Sequence, residues 1–305
     1  GEADLGSLGT GGRADDRSNL TIDFGLFQPI SVGDRLWFDA NNDGDFDAGE
    51  LPVVGATVEL YAGATLVATT TTNTSGYYLF TNLLPNSYRV RVPASNFVGS
   101  GVLVGYTSST GANGAATGPN EASPLGKAGN NQDHGTVSGT LGGAGFVQGN
   151  VISLGLGNNT TGEGATPGIT DPALDANSET TQDFGFFRPL SLGNFVWNDA
   201  NNNGVFDTGE QGIDGVTVTL LDSSGNPLLD GSGNPITTTT AGGGLYQFTN
   251  LVPGTYRVRV TTPTGFTSST GTNGAAAGPF EPGSTDFTAA GNNRDHGTTS
   301  GAFAV

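Results

Sequence analysis

The sequence contains neither cysteine nor methionine. Disulfide bonds therefore cannot hold the fold together, and the two common sites of sulfur oxidation are missing. No stretch approaches the roughly 18 apolar residues of a membrane-spanning helix, and residues 1–5 do not form a signal peptide. We therefore expect a secreted protein at the cell surface or in the extracellular space, without membrane insertion, of which this sequence is one segment.

Charged residues are also scarce, at 12% of the chain, yet the net charge is −18. The 10 basic residues are dispersed, so the sequence does not predict the basic face that binding of nucleic acid requires. The acidic residues are concentrated in a few places. Metal cations are therefore better candidate partners than anionic molecules.

The abundant residues predict an all-β protein. The 52 glycines and 15 prolines are typical of short strands joined by turns, while 17 Phe, 7 Tyr and 2 Trp argue against a disordered chain. Tyr88–Val92 and Tyr256–Val260 alternate with period two, which points Tyr and Val inward and Arg outward. In residues 216–220, two valines and a leucine share one face and two threonines the other.

An internal repeat divides the chain, whose 305 residues are enough for two domains. The sequence Asp-Phe-Gly-Leu-Phe-Gln-Pro at 23–29 returns as Asp-Phe-Gly-Phe-Phe-Arg-Pro at 183–189, and Trp37 returns as Trp197. We predict three parts: residues 1–30 as the last strand of a preceding unit, residues 31–189 as a first unit, and residues 190–305 as a second unit without its last strands. Either the units continue as an array, which we favour, or residues 1–30 complete a neighbouring chain by strand addition.

The second unit has gained eight residues between 222 and 235. This segment is rich in Asp, Ser, Gly, Asn and Pro, which are turn-forming residues. The composition predicts a longer hairpin tip in the second unit.

A twelve-residue segment, Asp39–Glu50, has the residue order of a calcium-binding loop. Oxygen donors occupy positions one, three, five, nine and twelve, and Gly44 occupies position six, where the chain must turn sharply. Position seven contributes a backbone carbonyl. The predicted calcium ligands are Asp39, Asn41, Asp43, Asp45 through its carbonyl, Asp47 and Glu50.

The same order returns in the second unit at Asp199–Glu210. The predicted ligands are Asp199, Asn201, Asn203, Val205 through its carbonyl, Asp207 and Glu210. Asn203 replaces the carboxylate of Asp43, so we expect weaker calcium binding in the second loop. The alternative is a pair of Asn/Asp/Gly-rich turns that bind nothing. Two loops in the same phase favour calcium.

Pro52 follows the first loop closely and argues against the exiting helix of an EF-hand. We therefore expect each loop to link two strands.

The residues of the first unit resemble those of a known family. Gly33–Gly44, Gly49-Glu50, Gly55–Leu60, Gly76–Phe80 and Tyr88–Val92 are together similar to the Sdr-type B domain, a calcium-binding repeat of bacterial surface proteins related to collagen-adhesin B domains. The resemblance implies tandem Ig-like or prealbumin-like β-sandwich domains in a stalk or spacer, with calcium at the two loops.

Some proteins of the wider group carry a Lys–Asn isopeptide cross-link, and this sequence departs from that pattern. Lys127 is the only lysine, and Ala289 stands at the matching position of the second unit. A cross-link in both units is impossible. We expect stability to come from packing and metal.

The only two histidines, His134 and His296, each follow an aspartate in a Gly-Asn-Asn-x-Asp-His-Gly motif. Asp133 and Asp295 are therefore candidate ligands of a second cation, although an ordinary polar turn explains the motif better. The sequence lacks a cysteine nucleophile, a serine motif with its base, and a phosphate-binding glycine loop. We do not expect an enzyme.

Two hypotheses for function follow. The first is a calcium-stabilised structural segment of a filament, stalk or surface layer, whose partners are neighbouring repeats or copies of itself. The alternative is an adhesin module that recognises glycan, protein or itself.

Overall fold

The computed structural model describes residues 24–110, 135–156 and 177–269. These residues form strands, turns and one short 3-10 helix at Ala94–Phe97, which confirms the all-β prediction. None of their helices is long and apolar enough to cross a membrane. Asp133, Asp295, both histidines, Lys127 and most of residues 1–30 lie outside the described ranges, so the predictions made for them stay predictions.

The first unit is a β-sandwich of two sheets. Its strands are β1 (Ile30–Phe38), β2 (Leu51–Pro52), β3 (Thr57–Ala62), β4 (Thr65–Thr71), β5 (Tyr77–Leu83), β6 (Asn86–Val92), β7 (Thr107–Ser108), β8 (Thr136–Ser138), β9 (Phe146–Gln148), β10 (Ile152–Leu154), β11 (Ser178–Glu179) and β12 (Phe184–Phe187). One sheet has the order β11-β1-β12-β7, with β2 and β5 also paired to β1. The other has the order β4-β3-β6-β9-β8, with β10 paired to β6.

The core of the first unit lies between these sheets. Leu36 and Phe184 from one sheet and Leu60 and Val90 from the other are fully buried in a single cluster. The alternation predicted for Tyr88–Val92 is confirmed, because Tyr88, Val90 and Val92 are buried while both arginines are half-buried. Each fully buried large apolar side chain contributes about 1.5–3 kcal/mol, so this cluster is the main stabilising feature of the unit.

Strand β1 organises its sheet because it has neighbours along both edges. It pairs antiparallel with β2 and β5, which follow it closely in the sequence. It pairs parallel with β11 and β12, which come from the far end of the unit. The first sandwich is therefore completed by residues that follow β1 by more than 140 positions.

The second unit repeats the early strands of the first. Its strands are β13 (Leu190–Phe195), β14 (Trp197–Asn198), β15 (Gln211–Gly212), β16 (Thr217–Leu221), β17 (Thr237–Thr239), β18 (Leu245–Leu251) and β19 (Arg257–Val260). They pair as β13-β18, β14-β15 and β17-β16-β19. The counterparts of β1 to β6 are thus present in the described part of this unit.

Burial in the second unit is weaker than the alternation pattern predicts. Tyr256 and Val258 are only half-buried and Val260 is 37% exposed, whereas their counterparts in β6 are buried. In the first unit β6 also pairs with β9 and β10, and the described residues of the second unit include no such neighbours of β19. On β16 the inward-facing residues are buried as expected, and Thr219 on the opposite face is buried as well.

The eight additional residues do extend a hairpin. Asp222 and Asp230 each begin a turn in which the carboxylate accepts two backbone N–H groups, at 2.8 and 2.9 Å for Asp222 and at 2.9 Å twice for Asp230. Leu228 lies between the two turns and bonds through its backbone to Leu220 and Ile236. The extension is therefore an ordered ladder of two successive turns.

Candidate calcium loops

Each candidate loop links two paired strands, as predicted. The first runs from β1 to β2, which pair at Trp37 and Phe38, and the second runs from β14 to β15. Six backbone positions with positive φ shape the pair of loops: Asn42 at 58°, Gly44 at 87° and Gly49 at 104° in the first, and Asn202 at 55°, Gly204 at 76° and Gly209 at 99° in the second. Asn and Gly tolerate this left-handed conformation best, which explains their place in both loops.

Asp39, at loop position one, is 1% exposed and holds the loop against the sandwich. Its Oδ2 accepts a hydrogen bond from the Gly44 N–H at 2.9 Å and another from the Ser109 hydroxyl at 2.6 Å. Its Oδ1 is buried and has no hydrogen-bond partner. A buried carboxylate oxygen without a partner is costly, so this atom marks a place where a positively charged group would stabilise the structure.

Glu50, at loop position twelve, closes the loop. Its Oε1 accepts from the Ala40 N–H at 2.7 Å and its Oε2 from the Asp47 N–H at 3.0 Å. Burial raises the pKa of Glu50 above its usual value, and the carboxylates of Asp39 and Asp43 raise it further, against the lowering effect of the two backbone hydrogen bonds. The negative charges of the loop therefore disfavour one another when the loop is closed.

The three remaining side chains predicted to bind calcium, Asn41, Asp43 and Asp47, lie on the exposed side of the loop. Asn41 donates from its amide nitrogen to Asp43 Oδ2 at 2.7 Å and to Asp47 Oδ2 at 3.2 Å, which brings these two carboxylates to one point. Asp45, at position seven, is held through its backbone N–H by Asp43 at 3.0 Å. These three side chains thus share one face of the loop, with the Asn41 nitrogen directed at the two carboxylates and its oxygen accepting from the Asp43 N–H.

The second loop has the same bonds at matching positions. Asp199 accepts from the Gly204 N–H at 2.7 Å and from the Ser269 hydroxyl, and Glu210 accepts from the N–H groups of Ala200 and Asp207 at 2.8 and 3.0 Å. Burial acts to raise the pKa of Asp199, but hydrogen bonds from Ser269, Gly204 and Asn203 together hold it below the usual value.

The two loops differ where their sequences predict it. Asn203 stands at the position of Asp43 and donates from its amide nitrogen to Asp207 Oδ2 at 2.7 Å, and Asn201 donates to the same oxygen at 2.9 Å. Val205 is held through its N–H by Asn203 Oδ1 at 2.7 Å. An amide here supplies its own hydrogen to the neighbouring carboxylate, so the second loop depends less on an added positive charge.

Across the described ranges, no three acidic or histidine side chains converge in the way they do around a bound metal ion. Hydrogen bonds from amide and backbone N–H groups hold the loops closed instead. The donor set is nevertheless entirely oxygen, and Asp39 Oδ1 is buried without a partner, so the chemistry of the first loop fits calcium.

Two features of the site were missed by the reasoning from sequence. Ser109 and Thr110 form a wall of the first loop: the Ser109 hydroxyl bonds Asp39, and the Thr110 N–H donates to Asn42 Oδ1 at 2.8 Å. The repeated segment Gly-x-Thr-Ser-Ser-Thr-Gly at 105–111 and 265–271 was visible as a signal for this role. Phe46, in the loop itself, packs edge-on against Trp37 with ring centroids 6.0 Å apart.

Comparison with known proteins gives a consistent match. A family model described as "SdrD B-like domain" matches residues 30–135 and 190–294. Serine-aspartate repeat-containing protein D of Staphylococcus aureus (strain Newman) is 31% identical over 277 residues, which cover 90% of this chain and 17% of that protein. Serine-aspartate repeat-containing protein F of Staphylococcus epidermidis (strain ATCC 12228 / FDA PCI 1200) is 33% identical over 263 residues, covering 85% of this chain and 12% of that protein.

Solved structures give only remote likenesses. A streptococcal ancillary pilin is 14% identical with a TM-score of 0.26, over 80% of this chain and 56% of that one. The shaft pilin SpaA from Lactobacillus rhamnosus GG is 12% identical with a TM-score of 0.24, over 78% of this chain and 90% of that one. TM-scores this low add nothing to the fold or to the function.

Proposed function

Because the chain belongs to the family of SdrD B-like domains, we propose that it is a structural repeat segment of a secreted or cell-surface bacterial protein, stabilised by calcium at its two strand-linking loops. The chain spans less than a fifth of the length of the relatives it matches. The proposal therefore concerns this segment, as a stalk or filament spacer without catalytic activity.

The observation that carries the proposal is the duplicated loop geometry. In both units the position-one aspartate bonds the position-six glycine and a distant serine, and the position-twelve glutamate bonds the same two backbone positions. Turns that only reverse the chain do not require a buried aspartate with an oxygen left unpaired, as Asp39 has.

In the first loop, Asp39, Asn41, Asp43, Asp47 and Glu50 would hold the ion through side-chain oxygens, and Asp45 through its carbonyl. Bound calcium would supply positive charge that offsets the repulsion among these carboxylates. Glu50 already ties Ala40 to Asp47, and Phe46 already packs on the sandwich. Binding only to the closed loop would therefore stabilise the folded unit by mass action.

The test is a comparison of two neutralising variants of the full chain. Asp43→Asn removes a predicted ligand charge and gives the first loop the residue found in the second, whereas Asp45→Asn removes a charge at a position that contributes only its carbonyl. Because ligand charge tunes calcium affinity, we expect Asp43→Asn to weaken the tighter site by about tenfold and Asp45→Asn to change it by much less. Titration calorimetry measures both.

Equal losses in the two variants would contradict the assignment of ligands. Absence of any calcium-dependent heat, with the same melting temperature in millimolar calcium and in chelator, would overturn the proposal. In that case, glycan or protein binding by the isolated chain would favour the adhesin alternative.

A further inference from the structure

The second candidate loop contains an Asn-Gly pair, Asn203-Gly204, where the first loop has Asp43-Gly44. An asparagine that precedes glycine readily loses its side-chain amide nitrogen, because a residue without Cβ leaves the following backbone nitrogen unhindered. The side chain of Asn203 is exposed, so water reaches it. The pair therefore places a reactive amide inside the predicted ligand set of the second loop.

The reaction begins when the backbone nitrogen of Gly204 attacks Cγ of Asn203. A bond forms between these two atoms and the bond from Cγ to Nδ2 breaks. The expelled nitrogen takes up the proton that Gly204 loses and leaves as ammonia. Water then opens the cyclic imide at either of its carbonyl carbons. Opening at Cγ leaves an aspartate, whereas opening at the main-chain carbonyl leaves an isoaspartate, whose main chain is longer by a carbon atom.

The folded loop restrains the attacking nitrogen. The Gly204 N–H donates to Asp199 Oδ2 at 2.7 Å, and Gly204 is buried. Attack requires this N–H to lose its proton, and the negative charge of Asp199 beside it disfavours a negatively charged nitrogen. The Ser269 hydroxyl in turn holds Asp199 in place. The Gly204 nitrogen is therefore kept in its unreactive form while the loop is closed.

The folded loop restrains the side chain of Asn203 as well. Its Oδ1 accepts the Val205 N–H at 2.7 Å, and its Nδ2 donates to Asp207 Oδ2 at 2.7 Å. Ring closure makes Cγ tetrahedral and expels Nδ2, so the bond to Asp207 is lost and the planar amide leaves its place in the loop. Loop closure therefore opposes the reaction at both reacting groups.

The first loop shows how the aspartate product would be accommodated. Asp43 occupies the same position, where its Oδ1 accepts the Asp45 N–H at 3.0 Å and its Oδ2 accepts from Asn41 Nδ2 at 2.7 Å. Asn201 stands at the position of Asn41 and donates to Asp207. A carboxylate at position five of the second loop therefore finds matching donors, and it gives this loop the ligand charges of the first.

We propose that Asn203 is a self-modification site, which loses its amide nitrogen to attack by the Gly204 nitrogen when the second loop opens and is protected while the loop is closed. The aspartate product strengthens calcium binding by this loop. The isoaspartate product weakens it, because the longer main chain moves Gly204 away from Asp199. The effect on calcium rests on the proposed function, whereas the loss of nitrogen is a property of the loop alone.

The experiment incubates the full chain in mildly alkaline, calcium-free buffer with and without urea, and then measures the mass of the loop peptide after proteolysis. Loss of the amide nitrogen replaces NH2 by OH, and fragmentation of the peptide locates the change at Asn203. We expect conversion to be at least about tenfold slower in the folded chain than in urea, since it requires local opening of the loop. Asn203→Gln keeps an amide but forms the imide far less readily, so it should show no change at this position.

Ser269→Ala tests the protection within the folded chain. This variant removes the hydroxyl that holds Asp199 and leaves every predicted ligand in place. We expect it to convert Asn203 several-fold faster than the wild type does. Ser109→Ala is the matched control, because it removes the equivalent hydroxyl from the first loop, and it should leave the rate at Asn203 unchanged. Circular dichroism checks that both variants stay folded.

Titration calorimetry of Asn203→Asp measures the consequence for calcium. We expect the second site to bind about tenfold more tightly than in the wild type, since ligand charge tunes affinity. Asn202→Asp is the matched control, because it adds the same charge at position four, where the loop has no predicted ligand. It should change the affinity by much less.

The inference is overturned if Asn203 shows no conversion in urea, if it converts equally fast in the folded chain, or if Ser269→Ala leaves its rate unchanged. Failure of the calcium proposal is recognised separately, as absence of calcium-dependent heat in the wild type. The mass change at Asn203 is measured without calcium and does not depend on that result.

Discussion

Asp183 and Asp34 lie side by side in the interior of the first sandwich, and both side chains are 0% exposed. Burial raises the pKa of Asp183 well above its usual value, and the neighbouring Asp34 carboxylate raises it further, while Arg35 acts in the opposite direction. Tyr78 and Glu179 lie in the same region, and burial followed by the charges of Asp183, Asp34 and Glu179 raises the pKa of the Tyr78 hydroxyl. Two acids in such a site favour retention of a proton.

The sign of the resulting pH dependence follows from the raised pKa of Asp183. The protonated Asp183 carboxyl contributes its full stabilisation below the pKa of an aspartate in the unfolded chain, about 3.9. This stabilisation is lost as pH rises through the higher pKa that Asp183 has in the folded protein. Asp183→Asn keeps an acceptor for the Arg35 N–H and has no proton to lose. We expect the variant to be more stable than the wild type at pH 7, by about 1–3 kcal/mol, with a smaller gain at pH 4.

Thermal unfolding of wild type and variant from pH 4 to pH 8 measures this difference, and the subtraction cancels the other titrating groups. Asp34→Asn gives a second comparison, because the second unit has Asn194 at that position. A stability difference that stays constant with pH would show that Asp183 is ionised in the folded protein throughout.

At the scale of elements, the hairpin of the second unit shows how an insertion was accommodated. The sequences Asp-Ser-Ser-Gly-Asn-Pro at 222–227 and Asp-Gly-Ser-Gly-Asn-Pro at 230–235 form successive turns of the same kind. Leu228 between them takes part in the backbone ladder from Leu220 to Ile236 and packs on the small core of this unit. The corresponding hairpin of the first unit needs only Gly63 and Ala64 between β3 and β4.

Deletion of residues 222–229 should therefore leave the second unit folded. Leu220 already donates to the Ile236 carbonyl at 2.9 Å, and after deletion its own carbonyl, released from Leu228, can accept the Ile236 N–H. The packing of one half-buried leucine is lost, so we expect destabilisation of about 1 kcal/mol. Circular dichroism and thermal unfolding test this, with Asp230→Ala in the shortened chain as a variant that also removes the turn cap. Loss of the second unit's folded signal on deletion alone would show that the extension is required.

At the scale of the whole molecule, the described parts of the two units differ in how large an apolar cluster they bury. The described residues of the first unit bury side chains from two six-stranded sheets, whereas those of the second bury Val218, Leu220 and Phe248 as a small cluster. Buried apolar area is the main source of folding stability. We expect the second unit to unfold first.

Differential scanning calorimetry of the full chain should show this as two transitions. The transition at the lower temperature should belong to the second unit, whose described residues bury the smaller cluster. A single transition at all concentrations would contradict the difference between the units.

The local features of the fold follow from the sequence. The alternation of Tyr88–Val92, the turn chemistry of the hairpin extension and the strand-to-strand placement of the loops all depend on neighbouring residues, and all are present in the structure. The loops were recognised as a residue order at fixed spacing. Their binding of calcium stays a prediction, since spacing places oxygens along a chain but does not fix where each one points.

Contacts between residues far apart in the chain could not be predicted from the sequence. Ser109 bonds Asp39, Asp183 meets Asp34, and β12 pairs with β1, because the folding of the intervening chain brings these groups together. The sequence alone determined that the chain is all-β, repeated, and equipped with two oxygen-rich loops, since these properties depend on local pattern. Only the tertiary structure decided which buried groups face one another. It also decided that the phenylalanines of β12 are buried while the matching side chains at residues 24–27 are exposed, since burial is a property of the packed sheets.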